Sequence, residues 1–193
     1  MNFYRFPPAQ PRRLFCAVIA FVAVVLALPT IVQAALADSS ADVEQVTLTE
    51  PSQDWEIDVP DLYCERDYES LASIGWTCGD VSVQATLTED AKDDATTLRR
   101  MVRALAMAPL PADAPTFDGT NGALLLADAP SSTAALSLDG TGKDENKDWV
   151  VTVTGKGDQA RATASRIWHA FGQEDLPAAA DAEFADFSGE LMF

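Results

Sequence analysis

Tyr63–Asp80 reads YCERDYESLASIGWTCGD, an acidic and aromatic loop bracketed by Cys64 and Cys78. The third cysteine, Cys16, lies in an apolar leader, so an exported chain retains this pair alone. Outside the cytoplasm two such thiols oxidise, and a bridge closing about 15 residues restricts the unfolded chain by roughly 3 kcal/mol. A metal site needs further ligands, and His169 is the only histidine. A redox pair needs Cys-x-x-Cys, a far shorter spacing. Cys64 and Cys78 therefore read as a structural disulfide. Tyr63, Tyr68 and Trp76 beside it either pack on the bridge or line a binding surface.

Upstream, residues 1–13 carry Arg5, Arg12 and Arg13 and no acid. The apolar run Leu14–Leu28 (LFCAVIAFVAVVLAL) follows, then Pro29 and the small-residue sequence Ala35-Leu36-Ala37 before Asp38. This order has the form of a secretory signal cut before Asp38, with Val32-Gln33-Ala34 as a second cutting place. Arg12-Arg13-Leu14-Phe15 partly resembles a twin-arginine signal, which leaves the export route open. The competing reading keeps residues 1–37 as a transmembrane anchor, since a run extended through Ile31 to Ala37 approaches the roughly 20 apolar residues that span a bilayer. Positive charge before the run puts the N-terminus inside in both cases. The expectation is a domain outside the cytoplasm, secreted or held on the outer side of the cytoplasmic membrane.

The 193-residue chain is 48% hydrophobic, enough for one packed core. Its formal charge of −17 combines 13 basic with 30 acidic residues. The three leader arginines taken away leave 10 against 30, a net of −20. A surface of that sign repels phosphate backbones and argues against nucleic acid as a partner. It favours basic proteins or loosely held cations, or simply keeps the chain soluble.

In chain order, Val46 and Leu48 alternate with Thr47 and Thr49, and Trp55, Ile57 and Val59 with Glu56 and Asp58 up to Pro60. Past the cysteine loop, Val81, Val83, Ala85 and Leu87 alternate with Ser82, Gln84 and Thr86, a half-buried strand. A helix is expected over Glu89–Met107, striped by Ala91, Ala95, Leu98, Val102 and Leu105. Its acids lead, and Arg99, Arg100 and Arg103 follow, as the helix dipole favours. The Pro- and Gly-rich connector Ala108–Gly122 precedes three strands, Ala123–Asp128, Thr133–Leu138 and Trp149–Thr154, the last two joined by the charged hairpin Asp139–Asp148. A second helix over Asp158–Phe171 carries Ala160, Ala164, Ile167 and Phe171. The expected fold is α+β: an antiparallel sheet of about five or six strands, with two amphipathic helices covering one face and the bridge Cys64–Cys78. The domain is expected over residues 38–171. Residues 172–193 read as an acidic flexible tail, in which Phe184, Phe187, Leu191, Met192 and Phe193 form a candidate docking motif for a partner.

Three stretches resemble chemistry. Gly155-Lys156-Gly157-Asp158-Gln159-Ala160 matches G-x-G-x-x-A, but one helix and a tail finish the chain where a dinucleotide fold needs a further strand. Asp144-Glu145-Asn146-Lys147-Asp148 is similar to the start of a calcium loop, yet Trp149 stands where the tight turn needs Gly. A solvated hairpin tip is the simpler reading, with weak Ca²⁺ binding as the alternative. His169 has no nucleophile motif to serve. No catalytic residue, cofactor site or metal site is assigned, and the chain is not read as an enzyme.

Trp55-Glu56-Ile57-Asp58-Val59-Pro60, together with Trp149–Thr154 and the helix that ends at Phe171, resembles the opening and closing elements of PsbP-like α+β domains of exported proteins. The disulfide loop and the acidic tail depart from that pattern. The resemblance implies an accessory or binding module without catalysis of its own. The expected function is a non-catalytic exported cell-envelope or secreted module that binds protein. The alternative is an accessory subunit of a respiratory or secretion complex in the membrane, held by an uncut leader.

Overall fold

The computed structural model describes residues 11–36, 43–50, 53–105, 107 and 110–188. The chain divides into two units, Met1–Ala41 and Asp42–Phe193. The first contains helix α1 (Pro11–Leu36), which carries the apolar run and continues past Pro29. Among the described residues no helix is long and apolar enough to cross a membrane. Ala37 and Asp38, at the expected cleavage point, lie outside the described residues.

In the second unit eight strands form one antiparallel sheet: β1 (Val43–Leu48), β2 (Ile57–Arg66), β3 (Ile74–Cys78), β4 (Val81–Glu89), β5 (Thr116–Asp118), β6 (Ala123–Asp128), β7 (Thr133–Asp139) and β8 (Lys147–Thr154). Their order, β1-β2-β3-β4-β8-β7-β6-β5, makes two four-stranded meanders joined where β4 meets β8. That seam runs without a slip from Ser82 opposite Thr154 to Glu89 opposite Lys147. The α+β class and the disulfide match expectation, and the strand count is higher. β2 continues through Pro60 because the β1–β2 register shifts between Gln45 and Thr47. Pro60 and left-handed Asp61 (φ 59°) fall at this interruption, where a missing N–H costs no ladder bond. β3 lies inside the cysteine loop, and β5 is a short edge within the connector.

Side-chain alternation gives the sheet two faces. Leu125, Leu136, Val151 and Val83 share one face with Trp76 and Trp149, and form the main core with α3 (Gly157–Ala170) and α4 (Ala178–Ala185). Leu126, Ala135 and Val150 face the other way and meet Leu98 and Val102 of α2 (Asp94–Leu105). The helices thus cover opposite faces, rather than one, because both parities of β6–β8 are apolar and each needs cover. α2 starts at Asp94, later than expected. β4 runs on to Glu89, and the Asp93 side chain caps the helix by accepting from the Thr96 N–H at 2.7 Å. Arg99 and Arg103 donate to the carbonyls of Ala114 and Leu110 and pin the connector to the helix.

The expected tail is corrected. Residues 172–188 fold back on the domain, with Phe184 1% and Phe187 0% exposed, their ring centroids 4.7 Å apart. Arg161 ties Asp181 of α4 to α3. Gln173 clamps the return, accepting from Thr120 and donating to the carbonyls of Thr120 and Phe171. Phe184 and Phe187 are therefore core residues and not docking residues, and Leu191, Met192 and Phe193 lie outside the described residues. Phe184→Ala is expected to cost about 3–5 kcal/mol, the usual cost of emptying a buried Phe site. Urea denaturation measures it, and an unchanged midpoint would restore the free tail.

Candidate functional site

Cys64 and Cys78 are bonded across β2 and β3, with Cα atoms 4.6 Å apart. They stand one step beyond the Glu65–Thr77 pair, and both face the core. The bridge locks the hairpin that carries Tyr68 and Leu71. Trp76 is buried beneath it, with the Arg66 guanidinium 4.9 Å over its ring. Tyr63 and Tyr68 are exposed, so the aromatic group beside the bridge divides into one core member and two surface members. α2 packs on β6, β7 and β8. Among the described residues of this unit, no helix packs on the same face of β1–β4 as α2 does on β6–β8. That face of β1–β4 presents Val43, Gln45, Tyr63, Glu65, Thr77, Ser82 and Gln84, of which Val43 and Tyr63 are large apolar members.

A second feature lies where β7, β8 and α2 meet. Asp139 ends β7 directly opposite Asp148 of β8, which in turn faces Thr88 at the end of β4. The hairpin between them closes through the Gly140 N–H on the Lys147 carbonyl at 2.7 Å. Only glycine fits at 140, because a Cβ there would run into the Asp144 backbone. The Asp90 N–H bonds the Asn146 carbonyl at 2.8 Å, which ties the segment entering α2 to the same hairpin. Asp94, in the first turn of α2, completes a triad in which one carboxylate oxygen from each residue lies within 4.8 Å of the other two.

Like charges directly opposite in an antiparallel pair are destabilising, and in this pair Asp148 is buried while Asp139 is half-buried. Asp148 is 7% exposed. Burial, then Asp139 and Asp94, push its carboxyl up to about 6 against a hydrogen bond with Thr88. Burial and then Asp94 raise Asp139. Asp139 Oδ1 is buried without a hydrogen-bond partner. Gly122, at φ 75°, leaves the room that the Asp139 carboxylate occupies. None of the three acids has an ion pair among the described residues. The nearby cation Lys147 is committed to Asp144 at 2.7 Å. The arrangement can hold a proton or a hard cation.

The calcium-like tip is thus not where the acids converge. Asp144 is held by Lys147, while Asp148 points to partners 9 and 54 positions earlier in the chain, Asp139 and Asp94. The signal open to sequence reading was that Asp139 and Asp148 bound one hairpin and face each other. Asp94 carried no local signal. Gly155–Ala160 opens α3, which leads to α4 and no further strand. His169 is exposed at the end of α3, its Nδ1 3.0 Å from the Gln173 carbonyl. Comparisons with family models, curated proteins and solved structures return no match.

The raised carboxyl fixes the sign of a pH effect. Folded Asp148 binds its proton up to about 6 and the reference carboxyl only to 3.8. Its contribution to stability is therefore complete below pH 3.8 and is lost as pH rises through about 6. In chelator-treated buffer, Asp148→Asn is expected to melt above the parent at pH 7, the gap closing towards pH 4. Thermal denaturation across that range checks it, and an equal or lower melting temperature at pH 7 contradicts it.

Proposed function

We propose that the folded unit is an exported docking domain, not an enzyme, and that it binds a basic protein through the disulfide-bearing end of its sheet. One observation carries the reading. Among the described residues of this unit, the large apolar side chains left exposed are Val43, Tyr63, Tyr68, Leu71 and Met107, and all but Met107 belong to β1 or the β2–β3 hairpin. Tyr68, 89% exposed, and Leu71 project from the loop that Cys64–Cys78 closes. Tyrosine supplies large contact area at low conformational-entropy cost and is enriched among binding hot spots.

Charge gives the partner its chemistry. Glu44, Glu56, Asp58, Glu65 and Glu69 are exposed around these side chains. Arg66, the cation among them, is taken up by Glu44 at 3.5 Å and by Trp76. A partner with Lys or Arg around an apolar contact is attracted, and an acidic one is repelled. Export is supported by the leader and by the disulfide, which persists in oxidising compartments. The resemblance to PsbP-like domains points the same way.

A photo-reactive residue in place of Leu71, introduced in the native source, is expected to cross-link one basic protein, whereas the same probe at Met107 does not. Tyr63→Ser with Tyr68→Ser is expected to weaken that complex at least tenfold, about 1.4 kcal/mol or more, without moving the melting temperature. Equal cross-linking from both positions contradicts the reading. Intact mass of the recovered chain separates its two forms: a start at Asp38 in the medium supports a secreted domain, and a full-length chain in membranes supports a membrane-held subunit.

A further inference from the structure

We infer that Asp94, Asp139 and Asp148 form a calcium site under the N-terminal end of α2, independent of the docking surface. Three carboxylates from three elements each bring one oxygen within 4.8 Å of the others, and none has an ion pair among the described residues. A second observation comes from a residue outside the triad. Ser137, 2% exposed, carries a hydroxyl with no hydrogen-bond partner. It precedes Asp139 by two positions on β7, so it shares that residue's sheet face, about 6.8 Å along the strand. A buried hydroxyl without a partner costs about 1–3 kcal/mol. A water on a bound ion offers it a partner, as the ion itself does for Asp139 Oδ1.

The ligand set is all oxygen. It suits a hard cation and not a thiophilic or imidazole-bound one, while the Thr88 hydroxyl opposite Asp148 donates to the Asp148 main-chain carbonyl at 3.3 Å. Calcium takes six to eight oxygens in irregular geometry and accepts bidentate carboxylates. Magnesium demands a near-ideal octahedron and keeps most of its waters. Three carboxylates on a strand end, a second strand and a helix start match the looser requirement. The helix dipole favours Asp94 in its place but leaves the charge of the facing strand pair uncompensated.

The test is calorimetric and thermal titration of the purified full-length chain, stripped with chelator, with CaCl₂ and separately with MgCl₂. The expected result is one Ca²⁺ per chain at a Kd in the range of about 10⁻⁴–10⁻³ M, typical of extracellular modules, a rise in melting temperature, and at least tenfold weaker Mg²⁺ binding. Asp148→Asn, expected to be more stable than the parent without metal, keeps the variant folded while losing at least tenfold in Ca²⁺ affinity. Ser137→Ala weakens binding by a smaller factor. Asp144→Asn, which removes only the partner of Lys147, leaves it unchanged. Absence of saturable binding at about 10 mM, well above that Kd range, overturns the site. So does a Ca²⁺ response that survives Asp148→Asn, or equal binding of Mg²⁺.

Discussion

The ladder between β4 and β8 is the contact on which the rest of the folded unit depends. Eight register pairs, Ser82–Thr154 through Glu89–Lys147, join segments some sixty to seventy residues apart into the centre of the sheet. Each strand also pairs with its sequence neighbour, β4 with β3 and β8 with β7, so the ladder makes two local meanders one structure. A hairpin alone is marginal in water, and a four-stranded meander needs a covered face. The ladder supplies it, since α3 packs on strands of both meanders, reaching β2 and β4 on one side and β7 and β8 on the other. A slip of one residue here would send Val151 and Val153 out of the main core and turn Asp148 into it.

The same register that fills the core concentrates charge. Few cations are available after the leader, and most described ones are used locally. Arg66 is on Glu44 and Trp76, Lys147 on Asp144, Arg161 on Asp181, and Arg99 and Arg103 on connector carbonyls. None of the ion pairs among the described residues reaches the end of β7 and β8, where alternation puts Asp139 and Asp148 on the face under α2. The acids at the other end of the sheet face water and cost little. Those of the triad are partly buried, and Asp148 holds its proton unusually well as a result. Two acidic regions thus differ in kind: an exposed rim around aromatic side chains, and a partly buried cluster with an unsatisfied oxygen.

Much of this was legible from period and punctuation. Val81–Leu87 alternates cleanly because its outer face is polar, and Leu98, Val102 and Leu105 keep helical spacing because one stripe is buried. β3 was missed because its Gly75 and two flanking turns masked a five-residue strand that is buried at Ile74, Gly75, Trp76 and Cys78 alike. The C-terminal segment was misread because its acids outweighed a real stripe: Ala180, Phe184 and Phe187 fall four and three apart and all are buried. The acid triad was only half visible. Asp139 and Asp148 bracket a hairpin, but Asp94 joins them only after β4 has paired with β8 and α2 has crossed the face, a non-local event that no window of sequence contains.

The most direct test of this account is native-state hydrogen exchange resolved to single amides. If the β4–β8 ladder unites the meanders, the bonded amides of Val81–Glu89 and Lys147–Thr154 will exchange only through global unfolding, with one common free energy equal to that from denaturant melts. If the amides of β1–β4 open together at a distinctly lower free energy than those of β6–β8, the two meanders are separate folding units, and the single sheet proposed as the frame for both acidic regions is contradicted.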